Sequence, residues 1–429
     1  MTTDTTRRRF IQAGALVGGL GVAGCLEALE GTDEYEIWAA DQGTHTIYIY
    51  EPAEEEEEDD EPSFEEVDQI DTAADDGLVP HMVDYSSDYA YAAVACTAGA
   101  RVLVYRTEDR ELVGNIETGP GSHFAGFSPD DEYLHVDVIG KDEIVRVDAD
   151  LDDEEFDIVD GINLRENDAI VDAGIDSGAP ICHQYDDEGR SLHTVGPSYH
   201  DGALVIVDHE DFTVDAAFSG DELPTNCGTM PHPDGEKFYL TAGLPSDPEE
   251  GEDGVGDFYV FDTETDDVIA HDDTGGIDAH GFWWTPDHEE LWVLNRETND
   301  GVVIDPETDE VVDEIDTYGP SQGDNPDERD APDIMWASPD GEYMFVTLRG
   351  PVPVSGDPHA ATGVSPGFSV IDVESREFLT VVEPDPIYEY PEPDIQAALD
   401  GDEDAPDIPD FHGIGVRPLG NVSGTSPPF

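Results

Sequence analysis

Four histidines stand at one repeated place in this chain. His81, His123, His280 and His412 each lie five residues ahead of the head of a turn, at Ser86, Ser128, Thr285 and Arg417. The same count back from Asp186, His232 and Ser338 gives Ile181, Cys227 and Asp333. Random placement of 14 histidines among 429 residues would put far fewer than one in these slots. A thiol and a carboxylate occupy two more, so every slot except Ile181 carries a group able to ligate a metal ion. Imidazole, thiolate and carboxylate together suit copper or zinc. His183 lies two residues past the inert Ile181 and shares its strand face, so it too is expected to reach the same space.

Such slots form a site only if the fold brings them to one place. The turns belong to a unit that recurs along the chain, seen most clearly in "GSHFAGFSPDDEYLHVDVIGKDEIVRVDADLDDEEFDIVD", Gly121 to Asp160. It reads as a short strand after His123, a turn at Ser128–Asp131, and strands over Tyr133–Val138, Glu143–Asp148 and Phe156–Val159. Four short strands per unit is one propeller blade. Copies start at His81, His280 and Asp333, and weaker ones follow Ile181 and Cys227. The two ends supply a seventh: "FHGIGVRPLG" begins a unit, and "YEIWAADQGTHTIYIYEP" with "FEEVDQID" continues it. The expected fold is therefore all-β, a seven-bladed β-propeller closed by N- and C-terminal strands sharing one blade, with no free sheet edge. The slots open the innermost strand of each blade and form a ring around the central channel.

The Ser-Pro-Asp-Gly turn, the apolar strand after it and segments such as "DPETDEVVDEIDT" (Asp305–Thr317) resemble YVTN-type propeller repeats. The resemblance runs from Tyr35 to about Gly420 and implies the fold; such repeats serve oxidoreductases, receptors and scaffolds alike. The histidines ahead of these turns resemble those of the catalytic copper propeller of nitrous oxide reductase and, more distantly, the haem-binding propellers of cytochrome-type nitrite reductases. That implies a redox enzyme with a hub copper or haem-type cofactor as one reading. The chain departs from the first pattern in having no His-His pair at any slot and no cupredoxin segment after the propeller, so a single ion fits the ligand count better. A binding or metal-handling protein is the leading expectation. A cofactor-free interaction scaffold, whose histidines bond across a wet channel, is the third.

Charge narrows the partners. Against 16 Lys+Arg stand 105 Asp+Glu, a formal net charge of −89, which excludes nucleic acid and anionic membrane surfaces. Repulsion of that size needs concentrated salt to screen it, as in a halophilic archaeon. At the N-terminus, Thr6-Arg7-Arg8-Arg9-Phe10-Ile11 matches a twin-arginine export signal. A short apolar run follows, then Val22-Ala23-Gly24-Cys25, which resembles a lipobox. Residues 1–24 are thus expected to be removed, Cys25 to carry a lipid tether through 25–34, and the propeller (35–419) and a tail (420–429) to lie on the outer face of the cell membrane. The protein is expected to be a monomer that meets a metal ion, a small molecule or another exported protein.

The remaining signals are fewer. Cys96, Cys182 and Cys227 are odd in number, so at least one is free, a ligand, or paired outside the chain. The acidic run Glu54–Pro62 and the insertions 161–180, 245–256, 319–331, 350–367 and 384–409 read as loops, and loops this long are often functional. Asn421-Val422-Ser423 is a glycosylation acceptor. The five tryptophans read as blade packing, with His135 and His193 between blades. No phosphate-binding glycine loop, nucleophile elbow or His-Glu-x-x-His helix is present.

Overall fold

The turns dictate the architecture. In each clear repeat the hydroxyl at the turn head donates to the Asp two residues on and accepts the backbone N–H of the strand that follows. Ser128 Oγ lies 2.6 Å from Asp130 Oδ1 and 3.0 Å from Tyr133 N; Ser86 with Asp88 and Tyr91, and Ser338 with Asp340 and Tyr343, repeat this. The fourth turn position is left-handed, at φ +79° for Gly341 and φ +59° for Asp131, where glycine alone adopts the conformation without steric cost. One polar turn thus fixes the distance from the innermost strand to its neighbour in every copy.

The computed structural model describes residues 34–53, 62–175, 178–186, 189–196, 202–248, 250–384, 387–402 and 404–419. It contains seven four-stranded antiparallel sheets, the blades of a β-propeller. Blade 1 runs from the hub outward as Phe411–Pro418, Tyr35–Asp41, Thr46–Pro52 and Phe64–Asp71. The innermost strands of blades 2 to 7 are Pro80–Tyr85, Ser122–Phe127, Ala179–Tyr185, Thr229–Pro231, Ala279–Trp284 and Pro332–Ala337, each followed outward by three more in chain order. The ends close the ring as the sequence implies: Tyr35 pairs with Pro418 and Asp41 with Phe411, and Leu419 N–H donates to Glu34 O at 2.8 Å. The proposed export signal, Cys25, most of the acidic run and the tail from 420 lie outside the described residues.

Burial follows strand position. Second and third strands are covered on both faces by neighbouring blades, as in Tyr91–Cys96 and Arg101–Arg106. Outermost strands such as Asp267–Asp273 and Glu310–Ile315 face solvent and carry acidic side chains. Trp38, Trp284 and Trp292 are fully buried, and Trp284 Nε1 donates across to Pro231 O of blade 5 at 3.0 Å. Among the described residues no helix is long and apolar enough to cross a membrane.

The innermost strands share one irregularity that decides the site. In blades 1, 2, 3, 4, 6 and 7 the pairing of the innermost strand with its neighbour slips by one residue at the slot, for example between Pro80 and Met82, Ser122 and Phe124, and Ala279 and Phe282. A bulge there frees the slot residue from the ladder and re-aims its side chain, here toward the axis.

Candidate metal centre at the hub

Bulges in six blades, and in blade 5 the segment just ahead of Thr229–Pro231, bring one side chain from each blade into a closed ring of contacts. Starting at blade 1, the His412 ring stacks on that of His81 with centroids 3.6 Å apart. His81 Nε2 meets His123 Nε2 at 2.8 Å, and His123 Nδ1 is 3.7 Å from Cys182 Sγ. Cys182 Sγ lies 2.9 Å from Cys227 Sγ, and Cys227 is hydrogen-bonded to His280. His280 Nε2 reaches Asp333 Oδ1 at 2.9 Å, and the other oxygen of Asp333 is 3.6 Å from His412 Nε2. All six residues singled out from the sequence therefore converge; in blade 4 the link between His123 and Cys227 is made by Cys182, while Ile181 lines the hub cavity beside it.

Cys182 escapes the turn count because it is the residue after the slot: the bulge in blade 4 takes in both 181 and 182, and the Cys182 sulfur reaches His123 and Cys227 from the second of the two positions. His183 does not reach the channel as expected. Its Nδ1 lies 2.6 Å from Asp137 Oδ2, and His193 Nδ1 lies 2.7 Å from Oδ1 of the same carboxylate. This His-Asp-His group is wholly buried between blades 3 and 4. His193 Nε2 continues through Ser191 Oγ at 2.8 Å to His135 Nδ1 at 3.0 Å. Among the described residues, two buried clusters thus have ligand atoms close enough to share one ion, Asp137/His183/His193 and His280/Asp333/His412.

Two arginines complete the hub, and nothing in the turn count pointed to them. Arg296 and Arg349 each directly follow the second strand of their blade and are fully buried. Arg349 Nη1 is 2.6 Å from Asp333 Oδ2, while its Nε and Nη2 hold Asp410 at 2.8 and 2.7 Å. Arg296 Nε binds Asp278 at 2.9 Å, and its Nη1 is 3.3 Å from Asp333 Oδ1. Charges buried this deeply persist only when paired, and three carboxylates against two guanidiniums leave one negative charge for the histidines. In a chain with only 16 Lys+Arg, arginine at the same place in blades 6 and 7 is the signal that could have revealed them.

Electrostatics divides the ring. Burial and Arg296 oppose protonation of His280, but Asp333 and Cys227 outweigh them and raise it to about 9, so His280 rests as an imidazolium. Burial holds Asp333 back from ionising, yet His412, Arg296 and Arg349 together bring it well below the usual carboxylate range. Burial keeps His81, His123 and His412 neutral. The hydrogen bond from Cys182 holds the Cys227 thiol well below its ordinary value against burial, helped by His280; burial pushes Cys182 up. The neutral rings have defined tautomers. Gln42 Nε2 donates to His81 Nδ1, so His81 Nε2 carries the proton toward His123. His412 Nδ1 donates to His81 O at 3.0 Å, leaving its Nε2 lone pair free for an ion.

Above the ring lies a cavity of about 630 Å³ lined by His81, His123, Cys227, His280, Arg296 and His412. Its rim includes Val354–Pro358, from the insertion within blade 7. This loop is tied to the hub: Val354 N–H donates to Asp410 at 2.7 Å, Arg349 Nη2 to Ser355 O at 2.9 Å, and Ser355 Oγ to Gln42 Oε1 at 2.9 Å. Four imidazoles and the Cys227 sulfur, with Ile181 between, thus border a space large enough for a small molecule or a hydrated ion.

No family model matches the sequence, and no match to a curated protein was found. Solved structures do resemble the chain. Kuenenia stuttgartiensis hydrazine synthase superposes with a TM-score of 0.52 at 12% identity, over 79% of this chain and 86% of that one. The propeller of Dos1 gives 0.49 at 14% identity, over 71% of each chain. A putative 6-phosphogluconolactonase from Bacteroides fragilis gives 0.47 at 15% identity, over 66% of this chain and 96% of its own. At these identities the likeness to hydrazine synthase is one of fold alone: the chain is a seven-bladed β-propeller.

Proposed function

We propose that this propeller binds a metal ion, copper or zinc, at its hub and acts as an exported binding or metal-handling protein. One observation carries the reading: each of the seven blades contributes one side chain to a continuous ring of contacts, and those residues are four histidines, two cysteines and an aspartate. Neutral imidazole and thiolate are the ligands that both metals accept. Asp333, already bonded to two arginines, positions His280, while the imidazoles and sulfurs supply the ligand atoms, His81 and His280 giving up a ring proton as the ion binds. Export and lipid attachment are read from Arg7-Arg8-Arg9 and Cys25, and operation in concentrated salt from the net charge of −89.

The test is elemental analysis of protein purified in concentrated salt without chelator. About one copper or zinc per chain supports the reading, and a metal-free protein that takes up neither ion on dialysis refutes it. Attachment is tested separately by fractionating host cells expressing wild type and Cys25→Ser. The wild type should stay with the membrane and the variant should leave it.

A further inference from the structure

We infer that Cys182 and Cys227 form a reversible disulfide tying the innermost strand of blade 4 to the entry of blade 5. Their sulfurs lie 2.9 Å apart, and a disulfide bond is about 2.05 Å long, so closure needs roughly 0.9 Å of movement, within reach of small side-chain rotations. Cys96, the third cysteine of the described residues, sits on the second strand of blade 2 with its sulfur directed to Val94 O, so it does not compete. Phe124, Met82 and Ile181 pack around the pair, while Cys227 opens onto the hub cavity. One sulfur is therefore accessible to a small reagent and the other waits behind it, the arrangement of an attacking and a resolving cysteine.

The reaction is thiol–disulfide exchange with a small organic disulfide as oxidant. The Cys227 sulfur attacks one sulfur of the oxidant, whose S–S bond breaks, and the first thiolate leaves. The Cys182 sulfur then attacks Cys227 within the mixed disulfide and expels the second thiolate. The two cysteines lose two electrons and two protons, and the oxidant becomes two thiols. Resting on the metal-binding reading, one consequence is that oxidation withdraws both sulfur ligands and leaves the imidazoles alone.

The experiment uses the full chain, reduced, stripped of metal and held in concentrated salt, so that its outcome does not depend on whether the hub binds an ion. The protein is exposed to 2-hydroxyethyl disulfide, unfolded, alkylated and digested. The expected product is a peptide pair linked through Cys182 and Cys227, with Cys96 alkylated, and dithiothreitol should reverse it. In Cys182→Ser the exchange should stop at the first step, with the reagent left attached to Cys227. In Cys227→Ser, Cys182 should react at least tenfold more slowly. Complete alkylation of Cys182 and Cys227 in treated wild type, a link through Cys96, or equal labelling of Cys182 in Cys227→Ser would overturn the proposal.

Discussion

Replacing Arg349 with methionine removes the most heavily bonded cation of the hub while keeping much of its volume. The guanidinium makes one contact with Asp333 at 2.6 Å, two with Asp410 at 2.8 and 2.7 Å, and one with Ser355 O at 2.9 Å. Both carboxylates are fully buried, and breaking a buried pair from one side costs about 3–5 kcal/mol because the orphaned charge remains. Partial compensation places the effect in the lower half of that range. Asp333 keeps His280 and Arg296, and Asp410 keeps the N–H groups of Gly350 and Val354 at 3.1 and 2.7 Å. The expected loss is about 3–4 kcal/mol, read from denaturant unfolding at fixed high salt. Arg349→Met/Asp410→Leu should lose less than the sum of its two single changes, since one orphaned charge leaves with its partner. A single-variant loss below about 1 kcal/mol, or strict additivity in the double variant, would show that these ions do not hold the hub together.

Lowering salt from molar to a few tens of millimolar should abolish cooperative thermal unfolding, because the Debye length grows from ~3 Å toward tens of ångströms and the outer acidic strands then repel; an unchanged melt would contradict this. Deleting Phe411–Pro418 removes the innermost strand of blade 1 and bares the edge of Tyr35–Asp41, so size-exclusion chromatography should show aggregate, and a stable monomer would contradict closure. Burial pushes the Asp84 carboxyl up to about 7, above its unfolded value near 3.9. It therefore favours the fold below pH ~4, and that contribution is lost as pH rises through about 7. Asp84→Asn, which still accepts from Phe127 N–H, should accordingly gain on wild type at pH 8, on the order of 4 kcal/mol, and much less at pH 4. An equal difference at both pH values would refute the assignment.

The fold was legible because one polar turn repeats: the hydroxyl at Ser86, Ser128 or Ser338 makes the same two hydrogen bonds each time, so counting back from it lands on the same strand position. Closure was legible from two half-units, which pair from Tyr35 with Pro418 to Asp41 with Phe411. The ring was legible for the six residues that obey the count. The count missed Cys182, the residue after the slot inside the same bulge, and misplaced His183, which lies just past the bulge, paired opposite His193, and turns its ring to Asp137 instead of the channel. Asp137 lay beyond that count as well, since its partners His183 and His193 come from another blade. Arg296 and Arg349 lie just past their strands, where the repeat implies turns, and only their equivalent places in two blades of a chain poor in basic residues mark them.

The hub site itself is tested most directly by comparing wild type with His123→Ala/His280→Ala, both purified in concentrated salt without chelator and analysed for copper and zinc. The two changes interrupt the ring at blades 3 and 6 and leave the interblade core of Trp38, Trp284 and Trp292 intact. An ion deprived of two ligands falls back toward its aqueous affinity. The account predicts about one ion per wild-type chain and a folded double variant with essentially none; equal metal content in the two proteins would contradict it.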